Sequence, residues 1–252
     1  MQGNVEPGHE GVQENSRKIR LLSGPLSMFG AKVQIAAHEK DIDFELIMVP
    51  FNMKDGYAPK HPEVLRINPK RQVPVLIDRD LEIFDSTQIF EYLEDIMPLP
   101  ALWPKDPQAR AQARRLEHES DEVLFPHIIK LMHLWKTPLD PAAEVAREGA
   151  AAYYRRMESI LADREFLAGR YSFADIAFYM AQLFGARMGA DLTGETPALL
   201  QWRQRMTARP AVNKVVTPMA EYLRAEGLGV PAFLDARSAQ QGGADDADRR
   251  FV

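Results

Sequence analysis

The spacing of apolar residues changes period several times along the chain, and each change marks an element. Basic and apolar residues mix in a short strand-like run from Lys18 to Leu22, and Ser23-Gly24-Pro25 is a turn signal. From Ser27 the spacing becomes helical. Phe29, Val33, Ala36 and Ala37 share one face, with Lys32, Gln34, Glu39 and Lys40 on the other. Phe44 to Val49 reads as the next strand. Residues 50–63 form a loop rich in Pro, Gly, Asn and Lys, followed by a helical turn around Glu63 to Ile67. Val73 to Ile77 is an apolar run with Pro74 at its second position. Proline cannot donate to a ladder, so it belongs at a strand entrance or a bend, and Val73-Pro74 is a candidate cis peptide. After a turn at residues 78–80, Leu81 to Phe84 is a further strand. Asp85-Ser86 then opens a helix over Thr87 to Met97, with Gln88 at capping-box spacing from Asp85. The order is β-α-β-loop/α-β-β-α.

Beyond a proline-dense stretch, Pro98 to Pro107, the pattern is helical nearly throughout. Helices are expected over Ala109 to Trp135, with Pro126 as a kink or break, and over Pro141 to Ala162. Further ones are expected over Ser172 to Met188, Pro197 to Ala208 and Ala211 to Glu226. Ser172 and Asp175 have capping-box spacing at the head of the most apolar of these. The division that follows is an α/β domain over 18–98, a proline-rich linker over 99–107 and an all-α domain over 108–234. Polar, Gly-bearing tails over 1–17 and 235–252 have the composition of disordered segments.

Composition removes several functions. Apolar residues make up 46 % of 252, enough for a sizeable core, and no run approaches a membrane span. The net charge of −5 comes with no basic block, so no nucleic-acid partner is expected. The polar N-terminal stretch has no hydrophobic segment of signal-peptide type. There is no cysteine, which excludes disulfides, thiolate metal sites and a cysteine nucleophile, and fits a reducing, cytoplasmic setting. His118, His127 and His133 lack metal-ligand spacing as a set and read as surface or interface residues, and no metal is expected. Neither a Gly-rich phosphate loop nor an H-E-x-x-H motif is present.

The stretch Asn68-Pro69-Lys70-Arg71-Gln72-Val73-Pro74-Val75-Leu76, a turn, and then Asp85-Ser86 before an amphipathic helix resembles the glutathione-binding half of soluble glutathione S-transferases. Phe166-Leu167-Ala168-Gly169 through Ser172-Phe173-Ala174-Asp175-Ile176 and Trp202 through Arg209-Pro210-Ala211-Val212 resemble two further segments of that family. The resemblance covers roughly residues 18–225. It implies a thioredoxin-like N-terminal domain, an all-α C-terminal domain, a cis Val73-Pro74 bond, and glutathione as co-substrate of a small hydrophobic electrophile. Lacking cysteine, such a domain must borrow its thiol from the bound tripeptide or do no redox chemistry.

The resemblance also assigns residues. Ser27, after the Gly24-Pro25-Leu26 turn, matches the family's thiol-activating serine, and Ser23 is its rival. Serine is also a good helix N-cap, and the two roles are compatible. Asp85 and Ser86 match the pair that receives the γ-glutamyl end. Val73 would form a backbone ladder with the cysteinyl residue in a geometry held by Pro74. Gln72 and Lys60 would meet the glycine carboxylate. The electrophile site would lie between the domains, near Met28, Phe29, Glu117, His118, Asp121, Phe125 and Leu131. A homodimer is implied, with Phe51 and its neighbours at the contact.

The loop 68–74, Lys54-Asp55-Gly56 and the 100–107 stretch also resemble the zeta class, whose members isomerise maleylacetoacetate. That class carries a Ser-Ser-Cys motif where this chain has Pro25-Leu26-Ser27-Met28. Isomerisation, dehalogenation and ether cleavage therefore stay open beside transfer, as does a non-enzymatic binding or regulatory role on the same fold.

Overall fold

The computed structural model describes residues 18–52, 54–58 and 60–235. Of the tails expected over 1–17 and 235–252, residues 1–17 and 236–252 lie outside the described residues; Asp235 is helical and pairs with Arg224 (2.7 Å).

The first half is built on a four-stranded sheet of order β2-β1-β3-β4. Strand β1 (Ile19–Ser23) runs parallel to β2 (Phe44–Met48), with Leu21 opposite Leu46. It runs antiparallel to β3 (Val75–Asp78), which pairs antiparallel with β4 (Leu81–Phe84). Successive side chains point to opposite faces of a strand. Leu21 and Leu76 thus join the main core with helices α1 (Met28–Glu39) and α3 (Ser86–Ile96). Leu22, Val75 and Ile77 turn the other way, toward Val64 of the short helix α2 (Pro62–Ile67). This is the thioredoxin-like arrangement expected from the sequence.

The second half is helical: α4 (Pro107–Glu119), α5 (Phe125–His133), α6 (Pro141–Leu161), α7 (Phe173–Arg187), α8 (Pro197–Ala208) and α9 (Pro210–Ala225). The helix expected from Ala109 to Trp135 is interrupted. A π-turn, Ser120–Leu124, separates α4 from α5, and Pro126 sits in the first turn of α5, where its missing N–H is harmless. Helix α7 is buried from Phe173 to Gly185. Its anchor is Asp175, which accepts hydrogen bonds from the Ser172 N–H (3.0 Å) and hydroxyl (3.1 Å). It accepts two more from the Leu167 N–H (3.0 Å) and the Trp202 indole (3.0 Å). The two family-like segments of the second half therefore meet at one carboxylate. Among the described residues, no helix is long and apolar enough to cross a membrane.

The polar face assigned to α1 is not a solvent face: Lys32, Gln34 and Lys40 are all buried. The reason is tertiary, since α1 packs between the sheet and helices α7 and α9 of the second half. Each buried lysine has a carboxylate. Lys32 Nζ lies 3.1 Å from Glu117 and 2.5 Å from Asp121. Lys40 Nζ lies 2.5 Å from Glu94 and donates to the carbonyls of Met97 and Pro100. Glu94 in turn accepts the N–H groups of Leu102 and Trp103. The proline-rich stretch is thus clamped against the first half, with Trp103 fully buried beside Phe173. Glu39, also on that face, takes a bidentate bond from Arg209 and another from Tyr171.

Candidate functional site

Ser27 is the N-cap of α1. The turn before it closes with a bond from its N–H to the Gly24 carbonyl (3.1 Å), and its hydroxyl oxygen accepts from the Gly30 N–H (3.0 Å). Accepting uses a lone pair and leaves the hydroxyl proton free, and no acceptor among the described residues takes it. Gly30 is required here: a Cβ would come within 2.1 Å of Ser23 Oγ. Ser23 itself is fully buried and accepts from the Gln34 amide (2.8 Å), away from the cavities around Ser27.

Two cavities meet beside this helix start. One, of about 410 Å³, has Ser27 in its wall and is otherwise mainly apolar, with Met28, Phe29, Phe125, Ile129, Met132 and Phe184 around it. The other, of about 590 Å³, is half polar, with Asp85, Ser86, Thr87, His118, Asp121 and Glu122 on its polar side. They share Phe29, Gln72 and Val73. The structure therefore brings Ser27, Lys60, Gln72, Val73, Pro74, Asp85 and Ser86 around one continuous groove.

The loop before β3 is shaped locally. The Asn68 amide donates to the Gln72 carbonyl (2.6 Å), and Asn68 Oδ1 accepts the Lys70 N–H (2.9 Å). Arg71 adopts a positive φ of 56°, and the Val73–Pro74 peptide is cis, as expected; Leu99–Pro100, on which the sequence reading was silent, is cis too. Asn68 is only 3 % exposed and acts as the organiser of this loop, a role its place in the motif did not reveal.

Asp85 stands at φ 77°, a region that costs a non-glycine residue of order 1–3 kcal/mol. Its carboxylate caps α3 by accepting the Thr87 N–H (3.1 Å) and lies 3.5 Å from Lys70 Nζ. The capping partner is thus Thr87, and no bond to Gln88 closes the box expected from spacing. Ser86 follows at the helix start, buried beside the unpaired N–H groups that favour an anion. Lys60 is exposed, 5.9 Å above the Tyr57 ring.

The residues expected between the domains divide. Phe125 faces the apolar cavity, packed edge-on against Phe29 (5.3 Å). His118 and Asp121 face the polar cavity, and Leu131 belongs to a third one. Glu117 faces neither. It accepts from Lys32 and from the Thr87 hydroxyl (3.0 Å), so a buried cation ties the helix start at Ser86-Thr87 to the second half. Burial works against the Lys32 charge, but Asp121 and Glu117 outweigh it and hold its pKa above the ordinary lysine value. Burial pushes the Asp121 carboxyl up to about 6, against the pull of Lys32. This network lay outside the sequence reading, since nothing in the spacing links Lys32 to residues on α4.

Phe51, expected at a two-fold contact, packs within its own chain. Its ring lies 4.8 Å from Tyr57, and its carbonyl accepts from the Tyr222 hydroxyl (3.0 Å).

Comparison with known proteins bears on both halves of the chain. The family described as the glutathione S-transferase N-terminal domain matches residues 26–96, and that described as the glutathione S-transferase C-terminal domain matches residues 113–210. A probable glutathione S-transferase, parC, of Nicotiana tabacum is 31 % identical over 210 residues, 79 % of this chain and 89 % of its own. A maleylacetoacetate isomerase of Mus musculus is 33 % identical over 145 residues, 57 % of this chain and 64 % of its own. Among solved structures, a glutathione S-transferase from Methylobacillus flagellatus with GSH bound superposes with a TM-score of 0.68 at 26 % identity. That match covers 78 % of this chain and 98 % of the other.

Proposed function

The chain belongs to the glutathione S-transferase family, and from that premise we propose that it is a glutathione transferase whose thiolate is stabilised by Ser27 and aimed at a small hydrophobic electrophile. The observation that carries this reading is the junction of the two cavities at Gln72 and Val73, with Ser27 in the apolar one and Asp85 and Ser86 in the polar one. A zwitterionic tripeptide fits such a groove. Its γ-glutamyl α-ammonium pairs with Asp85, and its carboxylate takes the Ser86 hydroxyl and the N–H groups of the α3 start. Its cysteinyl backbone pairs with Val73, and its glycine carboxylate faces Gln72 and Lys60.

The chemistry follows from the helix start. A free thiol titrates at about 8.5, so most of it is unreactive at neutral pH. The free Ser27 proton can be donated to the sulfur anion, and the α1 N-terminus adds a positive dipole end. The sulfur then forms a bond to the electrophilic carbon, the leaving group departs with its electron pair, and the thiol proton passes to water. The Asp121–Lys32–Glu117 network holds the wall of this groove, and we assign it a positioning role. The assembly we propose is a closed two-fold homodimer, the commonest oligomer. A monomer by light scattering at micromolar concentration would exclude it.

The test is turnover of glutathione with 1-chloro-2,4-dinitrobenzene, followed by absorbance, in the wild type and in Ser27→Ala. One hydrogen bond to a charged group contributes about 1.5–3 kcal/mol, so turnover at pH 7 should fall at least about tenfold with glutathione still bound. Unchanged kinetics would remove Ser27 from the reaction. Assays with unsaturated diacids separate the isomerase reading, because transfer consumes glutathione and isomerisation returns it.

A further inference from the structure

Beside the groove lies a third cavity of about 790 Å³ that shares Leu26, Tyr57, Gln72, Met132 and His133 with the cavity of Ser27. Most of its wall is apolar, including Leu131, Leu134, Met188 and Leu228. Trp135 stands in that wall 54 % exposed, a large aromatic surface with the Lys136 ammonium 5.2 Å from its ring centroid.

The feature without a structural explanation is Arg187. It ends α7, where a cation suits the helix dipole. A residue serving only that purpose would turn its charge to water or to the last carbonyls. Instead the guanidinium lies over the Phe184 ring (5.1 Å), its Nε is buried, and that atom has no hydrogen-bond partner. Burial lowers its pKa to about 10, so it stays charged at neutral pH. Four other buried or half-buried cations have a carboxylate: Lys32, Lys40, Arg203 and Arg209 pair with Asp121, Glu94, Asp191 and Glu39, while Arg205, whose Nε is likewise buried and unpartnered, donates through Nη2 to the Glu165 carbonyl (2.8 Å). Arg147, in the same cavity wall, pairs with Glu144. No carboxylate among the described residues pairs with Arg187.

Tyr57 adds a second free donor. Its hydroxyl oxygen accepts the Leu26 N–H (3.2 Å), and no acceptor among the described residues takes its proton. Burial raises its pKa, with the Arg187 charge opposing, so the proton stays in place at neutral pH. Tyr57 packs directly over the Gly24 backbone, where a Cβ would come within 2.3 Å of its ring. The phenol is therefore held at the mouth shared with the Ser27 cavity.

A half-buried cation and a phenol donor, facing one apolar cavity with no anion of the chain's own among the described residues, lack one thing: an acceptor with negative charge. We infer that this cavity receives a carboxylate carried by an apolar electrophile, with Arg187 as the charge partner, Tyr57 as the second donor and Trp135 against the apolar body. The guanidinium suits a carboxylate because its planar fork can donate two parallel bonds. The inference rests on the transferase reading and narrows it: the preferred electrophiles are organic acids, with the acid group anchored in this cavity and the reacting carbon toward Ser27.

Two probes that differ only in charge decide it: 4-chloro-3,5-dinitrobenzoate and its methyl ester. Calorimetric titration of the acid needs no glutathione, and turnover of each probe with glutathione gives kcat/KM. Arg187→Gln should weaken binding of the acid at least about tenfold and lower the acid-to-ester ratio of kcat/KM by a similar factor. Arg187→Lys, which keeps charge without the fork, should fall between. Tyr57→Phe should lower the ratio a few-fold. All variants are compared at matched melting temperature. Parallel loss for acid and ester, an unchanged ratio, or a wild type that turns over the ester but does not bind the acid would each overturn the site. Failure to bind glutathione would overturn the transferase reading instead and leave the acid titration as an independent result.

Discussion

Replacing Lys32 by methionine tests how the two halves hold the groove. Methionine keeps most of the stem and removes the charge. It leaves Glu117 and Asp121, whose side chains are 1 % and 9 % exposed, facing each other without a cation. Removing one partner of a buried ion pair costs about 3–5 kcal/mol, mainly because the remaining charge is uncompensated. That is a large share of a typical total stability of about 5–15 kcal/mol.

The carboxylates can limit the damage by taking protons. In the wild type burial already raises Asp121 to about 6, and without Lys32 it rises further. A carboxyl raised in the folded state stabilises fully below its ordinary value near 3.8, and that stability is lost as pH climbs through the folded value. The defect should therefore be smaller at pH 5 than at pH 7.5, by about 1.4 kcal/mol for each unit of pKa difference titrated in that window. Urea unfolding followed by tryptophan fluorescence measures it, since Trp103 and Trp202 are both buried. Lys32→Met combined with Glu117→Gln and Asp121→Asn should recover most of the loss, because no buried charge remains. A single-variant loss below about 1 kcal/mol, a loss independent of pH, or a combined variant as unstable as the single one would each refute the reasoning.

Asp85→Ala and Ser86→Ala should each weaken glutathione binding beyond any loss of folding stability, which calorimetric titration at matched melting temperature measures; wild-type affinity in both would reduce the pair to a helix cap. Gly30→Ala should destabilise by about 1–3 kcal/mol, because the new methyl meets Ser23 Oγ at 2.1 Å and the first turn of α1 must shift; an unchanged melting temperature would show that the turn yields freely. Asp175→Ala strands four donors, each costing about 1–3 kcal/mol when buried and unpaired, so the second half should not fold stably at 37 °C. Circular dichroism retaining native helicity in that variant would count against the anchor role.

Local rules were enough for much of this protein. The change of apolar period from two to helical marks the β-α-β and β-β-α units, and Pro74, Ser27 and the Asp85-Ser86 pair carry their own positional chemistry. Each depends on a few adjacent residues, which is why each is legible in sequence. The π-turn at 120–124 was not, because Pro126 announces a break without saying whether the chain stops, kinks or widens by one residue.

What the sequence alone could not decide was which polar residues are buried. Lys32 and Lys40 sit at helical positions that read as a solvent face, and they become core only because a second domain packs on that side of α1. Their partners Glu117, Asp121 and Glu94 lie far along the chain or on other helices, and no periodicity links residues across such a distance. The same holds for the groove. The sequence names Ser27, Gln72, Val73 and Asp85 one by one, but the sharing of Gln72 and Val73 between two cavities exists only once β3, α1 and the second half are assembled. Arg187 is the extreme case. In sequence it is an ordinary helix-ending arginine, and only the absence of a carboxylate among the described residues in its folded surroundings, together with the apolar walls it faces, gives its charge a meaning. Burial and pairing are properties of three-dimensional neighbourhoods, so tertiary structure decided them.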